Sequence, residues 1–182
     1  AEDLKGKTIV TFGQGANPEY VLTHILEANG LTVGTDVTID FKATVDEVLA
    51  LAATGEAEYV MVPEPNATVV QTKNAAFQTA LDLGAEWEKL EGTLVMGCVV
   101  TTAAFAEAHP EAVAKFLEEY EASIQYALDE TDAAATLCAT YEIVPNETIA
   151  KKSLPNCHLT FISGADMQPA VEEYYSVLFG YN

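Results

Sequence analysis

The chain has 182 residues, of which 49% are hydrophobic, enough apolar material for a sizeable core despite a formal net charge of −20. Asp and Glu number 28 against 8 basic residues, all of them lysine, which argues against DNA, RNA or anionic membrane as a partner because phosphate neutralisation needs a basic face. No apolar run approaches the roughly 20 residues that span a bilayer; the longest, 94–100, is strand-sized.

Thr8-Ile9-Val10-Thr11-Phe12 is a β-branched run after a Lys-Gly-Lys turn and predicts a strand. Gly13-Gln14-Gly15-Ala16-Asn17-Pro18 follows, with Asn17 as N-cap and Pro18 as the first helical residue. That helix carries Val21, Leu22, Ile25 and Leu26 on one face and stops at Asn29-Gly30. Alternation over 36–41 predicts a second strand. Thr44-Val45-Asp46-Glu47 is a capping box, and its helix, with Val45, Val48, Leu49 and Ala52 on one face, runs to Gly55. Tyr59-Val60-Met61-Val62 is a third strand, closed by Pro63-Glu64-Pro65. Strand, helix, strand, helix, strand with short loops implies parallel strands joined by right-handed crossovers.

Residues 67–73 predict a short helix, and 77–83 and 93–101 two further strands. Cys98, inside the second of these runs, is expected as a buried thiol. Pro110 opens a long amphipathic helix whose apolar face is Val113, Phe116, Leu117, Tyr120, Ile124, Ala127 and Leu128. Shorter helices cover 131–141 and 146–152. Ser163-Gly164-Ala165-Asp166 caps a last one, with Met167, Val171, Tyr174 and Leu178 on one face. The change from strands to helices near 101–104 divides the chain into an α/β ligand-binding lobe, 1–102, and a helical C-terminal segment, 103–182, expected to pack on it.

Two places offer binding chemistry. The loop Gly13, Gln14, Gly15, Ala16, Asn17 leaves a strand and enters a helix N-terminus, where unpaired N–H groups and the helix dipole favour an anion or an electron-rich oxygen. A ligand-free tight turn is the plainer reading of the same residues. Glu64 leaves the third strand on the same rim, outside the carboxyl ends of the strands. It either accepts hydrogen bonds from an amine or hydroxyl or faces water in a rigid turn. Gly13-x-Gly15-x-x-Pro18 is a partial dinucleotide fingerprint, with Pro where the third glycine belongs and Asp40 in place of the ribose-binding acid.

No catalytic set and no metal-ligand spacing emerge, and no cofactor is expected. His24 falls on the outer flank of its helix and reads as a surface residue, and His109 as a cap of the long helix. His158, in a polar loop, is a candidate pocket residue. Cys138 and Cys157 are a possible disulfide whose geometry the sequence leaves open.

Several segments in order resemble one family. Asp3-Leu4-Lys5-Gly6-Lys7 resembles the segment that opens the second lobe of type 2 periplasmic binding proteins of the sulfonate, nitrate, taurine and thiamine-precursor group. Leu26-Glu27-Ala28-Asn29-Gly30-Leu31 is similar to its helix end, and Asp36-Val37 to its next strand start. Residues 50–59 resemble its A-L-x-x-G-x-x-D-A segment, with Glu58-Tyr59 replacing Asp-Ala. Glu64-Pro65 matches a strand end, and Phe105-Ala106-Glu107 with His109-Pro110-Glu111 a helix start.

The resemblance implies a parallel-stranded three-layer α/β lobe followed by a helical C-terminal part, a fragment lacking about 100 residues of an N-terminal lobe. It implies a non-enzymatic substrate-binding component of an ABC importer. Such a component captures a small-molecule solute in an interlobe cleft and delivers it to a membrane permease. The full-length protein is then expected to be monomeric and extracytoplasmic, in the periplasm or anchored as a lipoprotein, and the lone lobe to bind weakly. Gly13, Gln14, Gly15, Ala16, Asn17 and Glu64 match cleft-facing positions of the family. With no Arg, an anion would have to be held by backbone N–H groups, while a neutral or cationic solute would use Glu64 as acceptor. The alternatives are a nucleotide- or dinucleotide-binding α/β domain and a pyrimidine-synthase-like enzyme on the same fold.

Overall fold

The computed structural model describes residues 2–181; Ala1, at which the chain opens, and Asn182 lie outside them. The chain divides into two compact units, Ala1–Leu94 with Gln168–Asn182, and Val95–Met167. The sequence boundary at 102/103 lies eight residues after this division at one end. At the other, the last helix belongs to the sheet-bearing unit.

The first unit is built on strands β1 (Lys7–Phe12), β2 (Val37–Lys42) and β3 (Tyr59–Val60). They are all parallel, in the order β2-β1-β3. Helix α1 (Asn17–Ala28) connects β1 to β2, and α2 (Val45–Thr54) connects β2 to β3, as the alternating pattern requires. Successive residues of a strand point to opposite faces. Ile9 therefore joins Leu22, Leu26, Leu31 and Val37 on one side of the sheet. Val10 joins Val48 and Ala57 on the other. The result is helix, sheet, helix: the expected three-layer α/β arrangement.

Local signals hold closely in this unit. Val21, Leu22, Ile25 and Leu26 are the buried residues of α1. The Thr44 hydroxyl accepts from Glu47 N at 3.3 Å, while the Glu47 carboxylate reaches Ala43 N at 3.1 Å, one residue earlier than in the usual box. Gly55 ends α2 in the left-handed region. Asn17 is not the cap of α1; Ala16, in extended conformation, precedes the helix and Asn17 already belongs to it.

Helices α3 (Asn66–Lys73) and α4 (Leu83–Glu88) follow β3. Residues 77–82 form no strand: Asp82 instead caps α4, accepting from Gly84 N and Ala85 N. The run 93–101 forms none either, and makes no backbone hydrogen bond among the described residues. Its β-branched composition favours a strand, but a strand exists only beside a partner, and none pairs with it among the described residues. Cys98 is accordingly exposed rather than buried, and Val100 is 82% exposed.

The second unit holds α5 (Ala103–Ala108), α6 (Pro110–Asp129), α7 (Thr131–Thr140) and α8 (Glu147–Ser153). His109 stands between α5 and α6 and caps α6 through its carbonyl, which accepts from Ala112 N and Val113 N, not through its side chain. Helices α7 and α8 pack together and bury Ala134, Ala135, Ile149 and Ala150. Helix α6 has the expected amphipathic spacing yet buries no residue; Phe116 and Tyr120 stack on its surface at 5.5 Å. Cys138 and Cys157 are not joined, and the Cys157 thiol donates to the Ser153 carbonyl at 3.2 Å. Helix α9 (Met167–Leu178) returns to the first unit, where Tyr174 packs on Trp87 with ring centroids 5.4 Å apart.

Two substitutions separate the packed core from the unpaired run. Leu22→Ala, at a side chain 3% exposed, is expected to cost about 3 kcal/mol in urea unfolding. Val100→Ser is expected to stay within about 0.5 kcal/mol of the parent in the same measurement.

Candidate functional site

The carboxyl edge of the sheet is where the connections put chemistry. The β1 chain leaves this edge through Gly13, Gln14, Gly15, Ala16 and Asn17, and the β3 chain through Pro63-Glu64-Pro65. Because β1 and β3 are parallel neighbours, with Val10 opposite Val60, both exits lie on one rim. Two bonds tie the strands together there: Met61 N donates to Val10 O at 3.0 Å, and the fully buried Thr11 hydroxyl donates to Met61 O at 2.9 Å. Thr11 was legible only as part of a strand, because its role depends on a partner fifty positions away.

Gly13 and Gly15 both have positive φ, 78° and 75°. A Cβ on Gly13 would also stand 3.0 Å from Pro18 Cγ, so that turn admits little but glycine. Gln14, Gly15 and Ala16 are exposed at its tip. The Gly15 amide donates to the carboxylate of Glu19, in the first turn of α1. One loop amide just before this helix is thereby taken by the chain's own acid, which also sits near the positive end of the helix dipole.

Glu64 is half-buried and already engaged. Its two carboxylate oxygens accept from Thr68 N at 3.1 Å and the Thr68 hydroxyl at 3.0 Å, which fastens the start of α3. Asp40 and Lys42, paired at 2.8 Å, stand at the end of β2, Lys42 opposite Phe12 in register. The rim thus carries Glu19, Glu64 and Asp40 against Lys42, of which Glu64 and Asp40 were singled out in the sequence but Glu19 and Lys42 were not. His158 belongs to the second unit, exposed and on left-handed backbone, φ 48°. The structure therefore brings together the loop and Glu64 on one edge, with His158 in the other unit.

A second polar group, also in the first unit, escaped the sequence reading. His24 is not a bare surface residue: its side chain is 18% exposed and its ring lies 5.1 Å from that of Trp87. Its nitrogens meet Glu91 and Tyr181, and the Tyr181 hydroxyl reaches Glu27. Burial, then the neighbouring Glu27 carboxylate, pushes ionisation of the Tyr181 phenol up to about 12. Among the described residues no cluster of His, Cys, Asp and Glu has the makings of a metal site, and no helix is long and apolar enough to cross a membrane.

The fold and the rim define the class: a parallel α/β unit with two loop exits at the carboxyl edge of neighbouring strands. Residues 1–134 match the family model described as NMT1/THI5 like, and the chain belongs to that family. Membership points to a solute-binding or related role for a small molecule, in a family whose members are typically periplasmic binding proteins. Neither the curated proteins nor the solved structures contain a match.

Glu64→Ala removes both acceptors at the start of α3 and is expected to cost about 1 kcal/mol in urea unfolding, as lost caps do. An alkaline absorbance titration is expected to contain a phenol step at about pH 12 that vanishes in Tyr181→Phe. The sign follows from a pKa raised by folding. The stability linked to this phenol is whole below the ordinary tyrosine range and is lost as pH rises toward about 12.

Proposed function

We propose that this chain is the solute-gripping part of an ABC importer's substrate-binding component, working outside the cytoplasm. Gly13, Gln14, Gly15, Ala16, Asn17 and Glu64 form one wall of its cleft, and the solute passes on to a membrane permease. The observation that carries this reading is the shared rim: two short exits from neighbouring parallel strands at the place where open α/β sheets take ligands. Family membership supports the same role. The role is binding without turnover.

The carboxylates favour a neutral or cationic solute over an anion. Glu19 occupies the Gly15 amide that a sulfonate or nitrate would need. Glu64 and Asp40 add negative charge, and Lys42 is already paired. A heteroaromatic amine of the pyrimidine type fits this wall, with exposed backbone at Gln14 and Gly15 on one side and a carboxylate acceptor on the other. A dinucleotide is disfavoured on two counts. Pro18 stands where close helix–strand approach calls for glycine, and a carboxylate sits where a phosphate would go.

The test is amide chemical-shift mapping of the labelled chain against an aminopyrimidine, taurine, nitrate and NAD. Perturbation confined to residues 13–17 and 64, strongest for the aminopyrimidine and of millimolar affinity, is the expected result. Strongest perturbation by NAD would transfer the site to the nucleotide reading. Movement elsewhere, with these amides silent, would remove the rim as the binding wall.

A further inference from the structure

Both buried polar side chains described in the first unit hold one short stretch of chain. Thr11 is fully buried and Thr68 is 4% exposed; the other buried polar residue among those described, Ser153, belongs to the second unit. The Thr11 hydroxyl donates to Met61 O at 2.9 Å. The Thr68 hydroxyl donates to Glu64 Oε1 at 3.0 Å, beside the bond from Thr68 N to Glu64 Oε2 at 3.1 Å. One hydroxyl comes from β1 and the other from α3, and both end on residues 61–64.

Neither position needs a hydroxyl for packing. Valine has nearly the same shape, suits a strand, and buries without the cost of taking a polar group out of water. A hydroxyl kept out of water must find a partner, and both of these find theirs on the exit that carries Glu64. That exit has few other holds. Strand β3 ends at Val60, and Pro63 and Pro65 have no N–H to give. The amides of Val62 and Glu64 make no backbone hydrogen bond among the described residues, whereas Met61 N is held by Val10 O at 3.0 Å.

The geometry points to Thr11 and Thr68 as positioning residues that preset the Glu64 carboxylate relative to the 13–17 loop before a solute arrives. This rests on the rim being the binding wall. Thr11 lies two residues before Gly13, so its bond to Met61 O ties the roots of the two exits together. Thr68 then fixes the carboxylate itself, since both oxygens are held by one residue. A carboxylate offers about four acceptor positions, and Thr68 fills two, which leaves capacity for the N–H groups of an amine solute. A wall fixed in advance loses less conformational freedom on binding, so the same contacts hold a solute more tightly.

Thr11→Val, Thr11→Ser, Thr68→Val and Thr68→Ser test this by two measurements. Without solute, hydrogen-exchange protection of the Met61 amide relative to the α1 amides is expected to fall about fivefold in Thr11→Val, the worth of one hydrogen bond, and to recover in Thr11→Ser. With the aminopyrimidine, affinity read from the amide shifts of residues 13–17 and 64 is expected to fall about tenfold in each valine variant and to recover to within about twofold of the parent in each serine variant. Parent-like affinity in both valine variants would overturn the positioning role and leave the wall standing. Serine variants as weak as the valine ones would overturn it as well, because the methyl packing and not the hydroxyl would then set the affinity. Silence of the parent amides toward the aminopyrimidine would instead remove the wall, and the positioning role with it.

Discussion

Parallel pairing along β1 is the constraint on which the rest of the first unit depends. With Ile9 opposite both Ile39 and Tyr59, the central strand sets the register of its two neighbours. Its alternation then assigns Leu22 and Leu26 to one face and Val48 to the other. A slip of one residue would exchange those faces and strand the buried Thr11 hydroxyl away from Met61 O. The same pairing makes the two loop exits share a rim. The functional reading is therefore a consequence of register before it is a matter of any one side chain.

What could be read from the sequence was what local physics decides. The 3.6 period of Val21, Leu22, Ile25 and Leu26 named the inner face of α1. Thr44 and Gly55 bracketed α2, and the alternation of strands and helices gave the parallel topology. What was hidden depends on distant partners. Residues 93–101 have strand composition, but composition does not supply a neighbouring edge, and Cys98 followed the run into solvent. His24 looked peripheral because Glu91 and Tyr181 are far away along the chain. At the rim, Glu64 was recognised by its place, whereas its engagement with Thr68 is an i to i+4 contact that a closer reading of spacing would have found.

Local acids recur as stoppers of helix starts. Glu19 takes the Gly15 amide, Glu47 the Ala43 amide, and Glu64 the Thr68 amide. Thr68 N lies in the first turn of α3, Gly15 N and Ala43 N just ahead of α1 and α2, and each acid sits near the positive end of a helix dipole. Part of the large acidic surplus is thus structural, which is how a chain with only eight lysines keeps carboxylates close to backbone. The arrangement also shapes the rim, because amides met from within offer little to an outside anion.

The unpaired run at 93–101 has a colloidal consequence. Apolar backbone that makes no backbone hydrogen bond among the described residues is a sticky edge onto which a second chain can zip. Mutual repulsion between copies that each carry a formal charge of −20 opposes that encounter. Added electrolyte shortens the reach of this repulsion to about 3 Å at molar ionic strength. Concentrated brine therefore brings such chains within adhesion distance, and dilute buffer holds them apart.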